Sequence, residues 1–138
     1  MEIRKNIIKQ RLKDGKHVIA IENLNDGDSV EQFAPNVPHC FWFEGEHFIV
    51  NPQNIGDLTR ASDLINSTSI VRVPRPEYQL IYHAFDLGAQ GVAVPHVKTK
   101  ADAELVVKLS LIHIYEPTRL LSICCGLLFM KKKTGGGG

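Results

Sequence analysis

Long apolar runs are scarce in this chain of 138 residues. No window approaches the roughly 18 apolar residues that a membrane span needs. The opening segment, Met1-Glu2-Ile3-Arg4-Lys5, is charged where a secretory leader would be apolar. No glycine-rich phosphate loop follows the first apolar run, Val18 to Ile21; Asn25-Asp26-Gly27-Asp28 is a turn by composition. Among the histidines no two stand at the i, i+4 spacing of a helical zinc site. Basic residues form no stripe with interleaved aromatics, so neither nucleic acid nor a membrane is an expected partner. Cysteine is sparse: Cys40, Cys124 and Cys125. What remains has an ordinary globular balance, 43% hydrophobic and 22% charged, with formal net charge +1.

From Leu109 the character of the chain changes. Leu109-Ser110-Leu111-Ile112-His113-Ile114 can be encoded by the start of a transposase adapter used in short-read sequencing, and Glu116-Pro117-Thr118-Arg119 by its continuation. Lys131 to Lys133 then reads as a run of A, and Gly135 to Gly138 as a run of G. Residues 109–138 therefore read as translated adapter, an artefact and not a native domain, and residues 1–108 as the folding unit. Without that tail the chain holds 12 basic and 14 acidic residues, and Cys40 is its single cysteine. A lone cysteine forms no internal disulfide, which suits a reducing cytoplasm.

Residues 3 to 13 have helical spacing: Ile3, Ile7, Ile8 and Leu12 on one face, basic residues around the other, Gly15 as the stop. Val18 to Ile21 is an apolar run suited to a strand buried on both faces. Ser29 to Ala34 is a short helix stopped by Pro35, and Cys40 to Phe43 the next strand. Asn51-Pro52 supplies an N-cap with proline at the first helical position, opening a helix with Ile55, Leu58, Thr59, Ala61, Ser62, Leu64 and Ile65 inward. Ser69 to Val73 is a strand, Tyr78 to Leu87 a helix, Val92 to Val94 a strand. Thr99 and Asp102 form a capping box for a last helix carrying Leu105, Val106 and Val107. Strands alternating with helices pair in parallel, because each crossover returns the chain to the same end of the sheet. The fold class is therefore α/β. Four units after a leading helix make about half of a (β/α)8 TIM barrel, which takes about 250 residues.

In such a barrel, catalytic groups stand where strands end. Phe41-Trp42-Phe43-Glu44-Gly45-Glu46-His47 is an apolar run closing on two carboxylates, a turn glycine and an imidazole. Ser69-Ile70-Val71-Arg72 closes on a cation. Singly, Glu44 and Glu46 would be surface carboxylates, His47 a surface histidine and Arg72 a salt-bridge partner. Together at successive strand ends they point to one site, with His47, Glu44 and Arg72 as its working residues and Glu46 as a supporting carboxylate. His96, just past Pro95, also falls at a strand end.

Glu-Gly-Glu-His after an aromatic strand, Val71-Arg72-Val73-Pro74, and Gly88-Ala89-Gln90-Gly91-Val92-Ala93-Val94-Pro95 resemble, in that order, the HpcH/HpaI aldolase/citrate lyase family. The resemblance runs from about Asn6 to Lys108. It implies an N-terminal barrel fragment of a metal-dependent aldolase, acting on a bond next to pyruvate in 2-keto-3-deoxy or 4-hydroxy-2-oxo acids. It implies that His47 is the general base, that Glu44 stands where the family has Asp, and that Arg72 binds the pyruvate oxygen. Phe48 stands where the family commonly has Gly. The family's metal ligands lie on later strands, so no metal ligand is assigned here; Mg2+ or Mn2+ is expected in the full-length parent alone. A small keto acid and an aldehyde are the implied partners, and the parent is expected to be a homo-oligomer. A CoA-ester lyase of citramalyl or malyl type, and a barrel fragment with no activity, are the competing expectations.

Overall fold

In the computed structural model, residues 5–47 and 50–111 are described, the last two by their backbone alone. Helix α1 (Ile7–Lys13) leads into β1 (Ala20–Glu22), α2 (Gly27–Glu31), a 3-10 turn (Ala34–Asn36), β2 (Cys40–Glu44), α3 (Pro52–Leu64), β3 (Thr68–Arg72), α4 (Tyr78–Asp86), β4 (Gly91–Ala93) and α5 (Lys100–Leu111). The four strands form one sheet in the order β1-β2-β3-β4, every pair parallel. Sequential order with parallel pairing is the winding of a partial (β/α)8 barrel.

The two faces of the sheet differ because successive side chains alternate. Phe41, Phe43, Val71 and Val92 pack with Val30 of α2, Ile55, Leu58 and Ala61 of α3, Ile81 and Ala84 of α4, and Val106 of α5. The rings of Phe41 and Phe43 stack in parallel with centroids 6.1 Å apart, and Phe33 meets Phe41 edge-on at 5.6 Å. This apolar layer carries most of the stabilisation, about 1.5–3 kcal/mol for each large side chain removed from water. The opposite face holds Cys40, Ile70 and Ala93, closed from below by Ile8 of α1 with Val18 and Trp42 beside them. Helix α1 is tied to that end by two bonds: the Ile7 N–H donates to Thr68 Oγ1 at 3.0 Å, and Asn6 Nδ2 donates to the Gln90 carbonyl at 3.2 Å.

Several expectations need correction. The first strand is Ala20–Glu22, not Val18 to Ile21, and it is not buried on both faces. It is an edge strand among the described residues, so Ile19 and Ala20 meet solvent. The short helix begins at Gly27, because Asp26 caps it by accepting the Ser29 N–H at 2.7 Å. Pro35 does not follow that helix as a stop but sits inside a separate 3-10 turn. Strand β2 extends through Glu44, held by its pairing to Arg72. Leu64 is exposed, and on α5 so is Leu105, leaving Val106 as the buried apolar anchor. The Thr99–Asp102 capping box is formed in both directions, 2.8 Å and 3.1 Å. Helix α5 runs from Lys100 to Leu111. The tail from 112 onward and Phe48 lie outside the described residues.

Candidate active site

Register brings the site together. Glu44 and Arg72 are the last residues of β2 and β3 and stand opposite each other in the ladder. Counting alternately from Cys40 and Ile70, both project on the inner face, away from the helices. Arg72 Nη1 donates to Glu44 Oε2 at 2.9 Å. The same oxygen receives Trp42 Nε1 at 3.4 Å. Gly45 then turns the chain across the rim, its N–H donating to the Arg72 carbonyl at 2.8 Å. That turn lets the Glu46 N–H donate to Glu44 Oε1 at 2.8 Å.

Glu46 faces the same cation. Its Oε2 pairs with Arg72 Nη2, and its Oε1 lies 2.9 Å from His96 Nε2. His96 holds φ +62°, left-handed backbone that costs a non-glycine residue roughly 1–2 kcal/mol. The Glu44 and Glu46 side chains are 11% and 14% exposed, that of Arg72 30%. With neutral imidazoles the rim carries two negative charges against one positive. Of the five N–H groups on a guanidinium, these two pairs engage one on each Nη, leaving three without a partner among the described residues.

His47 is exposed at the end of this turn. A ring nitrogen of His47 and one oxygen from each of Glu44 and Glu46 lie within 4.8 Å of one another. That set of donors suits a divalent cation by type. As held here the set is already engaged: both Glu44 oxygens accept, from Arg72, Trp42 and the Glu46 N–H, and Glu46 is ion-paired with Arg72 and His96, though its buried Oε2 has no hydrogen-bond partner among the described residues. The guanidinium supplies the positive charge that the acids require, and a dication beside it would meet repulsion.

The structure thus brings together Glu44, Arg72, Glu46 and His47, each named from the sequence. Glu46 is nearer the centre than its supporting assignment suggests, because it contacts Arg72 directly. The part of His96 is the one that sequence reasoning missed. Its only signal was its place after Pro95, one strand over from Arg72.

Cys40 sits on the inner face at the far end of β2, buried, and desolvation pushes its thiol pKa up to about 12. Since the thiolate is the reactive form, Cys40 is expected to resist thiol reagents at neutral pH until the chain unfolds. In a Cys124→Ser, Cys125→Ser background, labelling that accelerates only with denaturant is the expected result. Prompt labelling of the folded chain would show that Cys40 is not sealed by Ile8.

No family model matches the sequence, and no curated protein does. Solved structures do. Citrate synthase SbnG is 32% identical with TM-score 0.71, covering 86% of this chain and 48% of that one. An HpcH/HpaI aldolase/citrate lyase family protein from Burkholderia cenocepacia J2315 is 28% identical with TM-score 0.69, covering 76% and 42%. An HpcH/HpaI aldolase from Desulfitobacterium hafniense DCB-2 shares the fold, at 23% identity and TM-score 0.68, over 75% and 40%. The family resemblance carried by the motifs is borne out in structure, and the chain spans under half the length of the proteins it matches.

Proposed function

We propose that this chain, whose strands and helices follow less than half the length of the HpcH/HpaI aldolase/citrate lyase proteins it matches, is part of a carbon–carbon lyase that cleaves or forms the bond next to pyruvate. The observation that carries this reading is the convergence of His47, Glu44, Glu46 and Arg72 at the C-terminal ends of β2 and β3.

Each residue type suits the chemistry. Breaking a bond next to a carbonyl leaves an enolate. Arg72 has three N–H groups left to receive a carboxylate or the enolate oxygen, and a cation fixed in advance stabilises that charge as it develops. His47 has an imidazole that takes and returns protons near neutral pH. It would accept the hydroxyl proton as the bond breaks and return a proton to the enolate carbon. Glu44 and Glu46 hold the guanidinium in place. Because the rim is net negative, an anionic keto acid calls for further positive charge. A divalent metal such as Mg2+ or Mn2+ belongs, on this reading, to ligands outside the described residues. The partners are a keto acid of 2-keto-3-deoxy or 4-hydroxy-2-oxo type and an aldehyde, in a cytoplasmic homo-oligomer. No helix among the described residues is long and apolar enough to cross a membrane.

The likeness to a citrate synthase favours a second reading within the same chemistry, in which these strands serve a larger acid. One experiment separates the readings. The gene continued beyond Lys108 should yield a protein that releases pyruvate from a 4-hydroxy-2-oxo acid with added Mg2+ or Mn2+. His47→Ala should lower that rate by about 10²–10⁴-fold. Citrate formation without pyruvate release would select the second reading, and indifference to both His47→Ala and Arg72→Ala would remove the site. The 138-residue chain should give no turnover, since His47 there is exposed to water and such electrostatic stabilisation needs a shielded site. Turnover by it that vanishes with His47→Ala would overturn that expectation.

A further inference from the structure

We infer that His96 is a positioning residue that keeps the Arg72 guanidinium open to its ligand, acting through Glu46. The inference rests on the reading of Arg72 as the group that receives the keto acid.

The geometry is a relay across three strand ends. His96 follows β4 in a left-handed conformation that few residues other than glycine adopt, histidine among the more tolerant. That backbone brings Nε2 to 2.9 Å from Glu46 Oε1. The other oxygen of Glu46 pairs with Arg72 Nη2. The carboxylate is therefore held from two sides, one oxygen to each partner.

The consequence lies in what Glu46 is prevented from doing. The terminal torsion of a glutamate is broad and easily turned. A carboxylate beside a guanidinium favours two parallel bonds, fork to fork. Released from His96, Glu46 would turn its second oxygen onto Arg72 and engage another N–H. Glu44 already engages one on Nη1. The donors left for a keto acid would fall from three to two. By retaining one oxygen of Glu46, His96 keeps that oxygen off Arg72 and leaves the third N–H to the ligand. Because the His96 side chain is 65% exposed, its removal takes little from the core.

The test reads Arg72 directly, in the 138-residue chain, by NMR of its side-chain nitrogens at pH 7. His96→Ala should change the Arg72 Nε and Nη signals while the backbone spectrum of the sheet is kept. His96→Gln, which restores an N–H donor, should return them toward the original. In Glu46→Gln, a further His96→Ala should have little added effect. Sodium pyruvate, titrated into the same samples, should shift the Arg72 signals at about tenfold higher concentration in His96→Ala, the loss of roughly one charge-assisted bond. Arg72 signals unaltered by His96→Ala, or altered equally by His96→Gln, would overturn the inference. Signals that respond to His96→Ala but never to pyruvate would keep the positioning role and remove the keto-acid reading.

Discussion

Gly45→Ala is expected to destabilise the chain by about 3 kcal/mol, at the upper end of what overpacking usually costs, and to dismantle the rim of the site. A Cβ at Gly45 would stand 2.4 Å from the Arg72 carbonyl oxygen, with the Val50 carbonyl at 3.4 Å behind it. Neither neighbour is a flexible side-chain end. The Arg72 carbonyl is fixed in the β3 backbone and already accepts the Gly45 N–H at 2.8 Å. Either the turn lifts away from β3, breaking that bond and carrying Glu46 off Arg72, or the end of β3 moves. Gly56→Ala in α3 is the control: its Cβ would meet only Leu87 Cδ2, at an ordinary 3.6 Å. Inside a helix that change should stabilise by roughly 0.5–1 kcal/mol. Urea unfolding followed by the single tryptophan, Trp42, checks both. Trp42 donates to Glu44 in the same rim, so its native emission should shift in the first variant and not in the second. Equal midpoints for the two variants would mean that β2 and β3 do not approach this closely.

Gly45 also shows which features were legible in the sequence and which were not. Alternation of strands and helices was readable because prolines, glycines and caps punctuate it. Asn51 accepts the Gln53 N–H at 2.9 Å and Pro52 begins α3, as their order suggests. Glu44 and Arg72 were readable as strand ends because charge follows an apolar run. Their pairing was a matter of register, which needs both strands in space. The limits of β1 were lost for a related reason. Val18 to Ile21 is the apolar run, but pairing with Cys40 to Trp42 selects Ala20–Glu22. An edge strand is fixed by its one partner more than by its own burial. The His96–Glu46 contact was illegible because it depends on a left-handed residue, and nothing in Pro95-His96-Val97 requires that conformation.

Arg72→Met is the second large effect, about 3–5 kcal/mol, the usual cost of removing one partner from a buried charge pair. Methionine replaces the packing of the arginine stem but not its charge. Glu44 and Glu46 would remain nearly buried and side by side, with the donors of Trp42, His96 and the Glu46 N–H facing them but no guanidinium. Surface pairs give the scale for comparison. Arg60 and Asp57 on α3 also form an ion pair, but both side chains are exposed, and Arg60→Met should cost no more than about 1 kcal/mol. The decisive variant is the double one. Glu46→Gln added to Arg72→Met removes one of the two unpaired charges and should recover part of the loss. Glu46→Gln alone should destabilise, because it weakens the hold on a guanidinium that still faces Glu44. A coupling energy of about 0.5–3 kcal/mol between the two positions is the expected measure of that contact. Additive effects, with Arg72→Met no worse than Arg60→Met, would mean that water screens the rim. In that case Arg72 would not be held ready for an anion, and the convergence of the strand ends would be a surface ion cluster without chemistry.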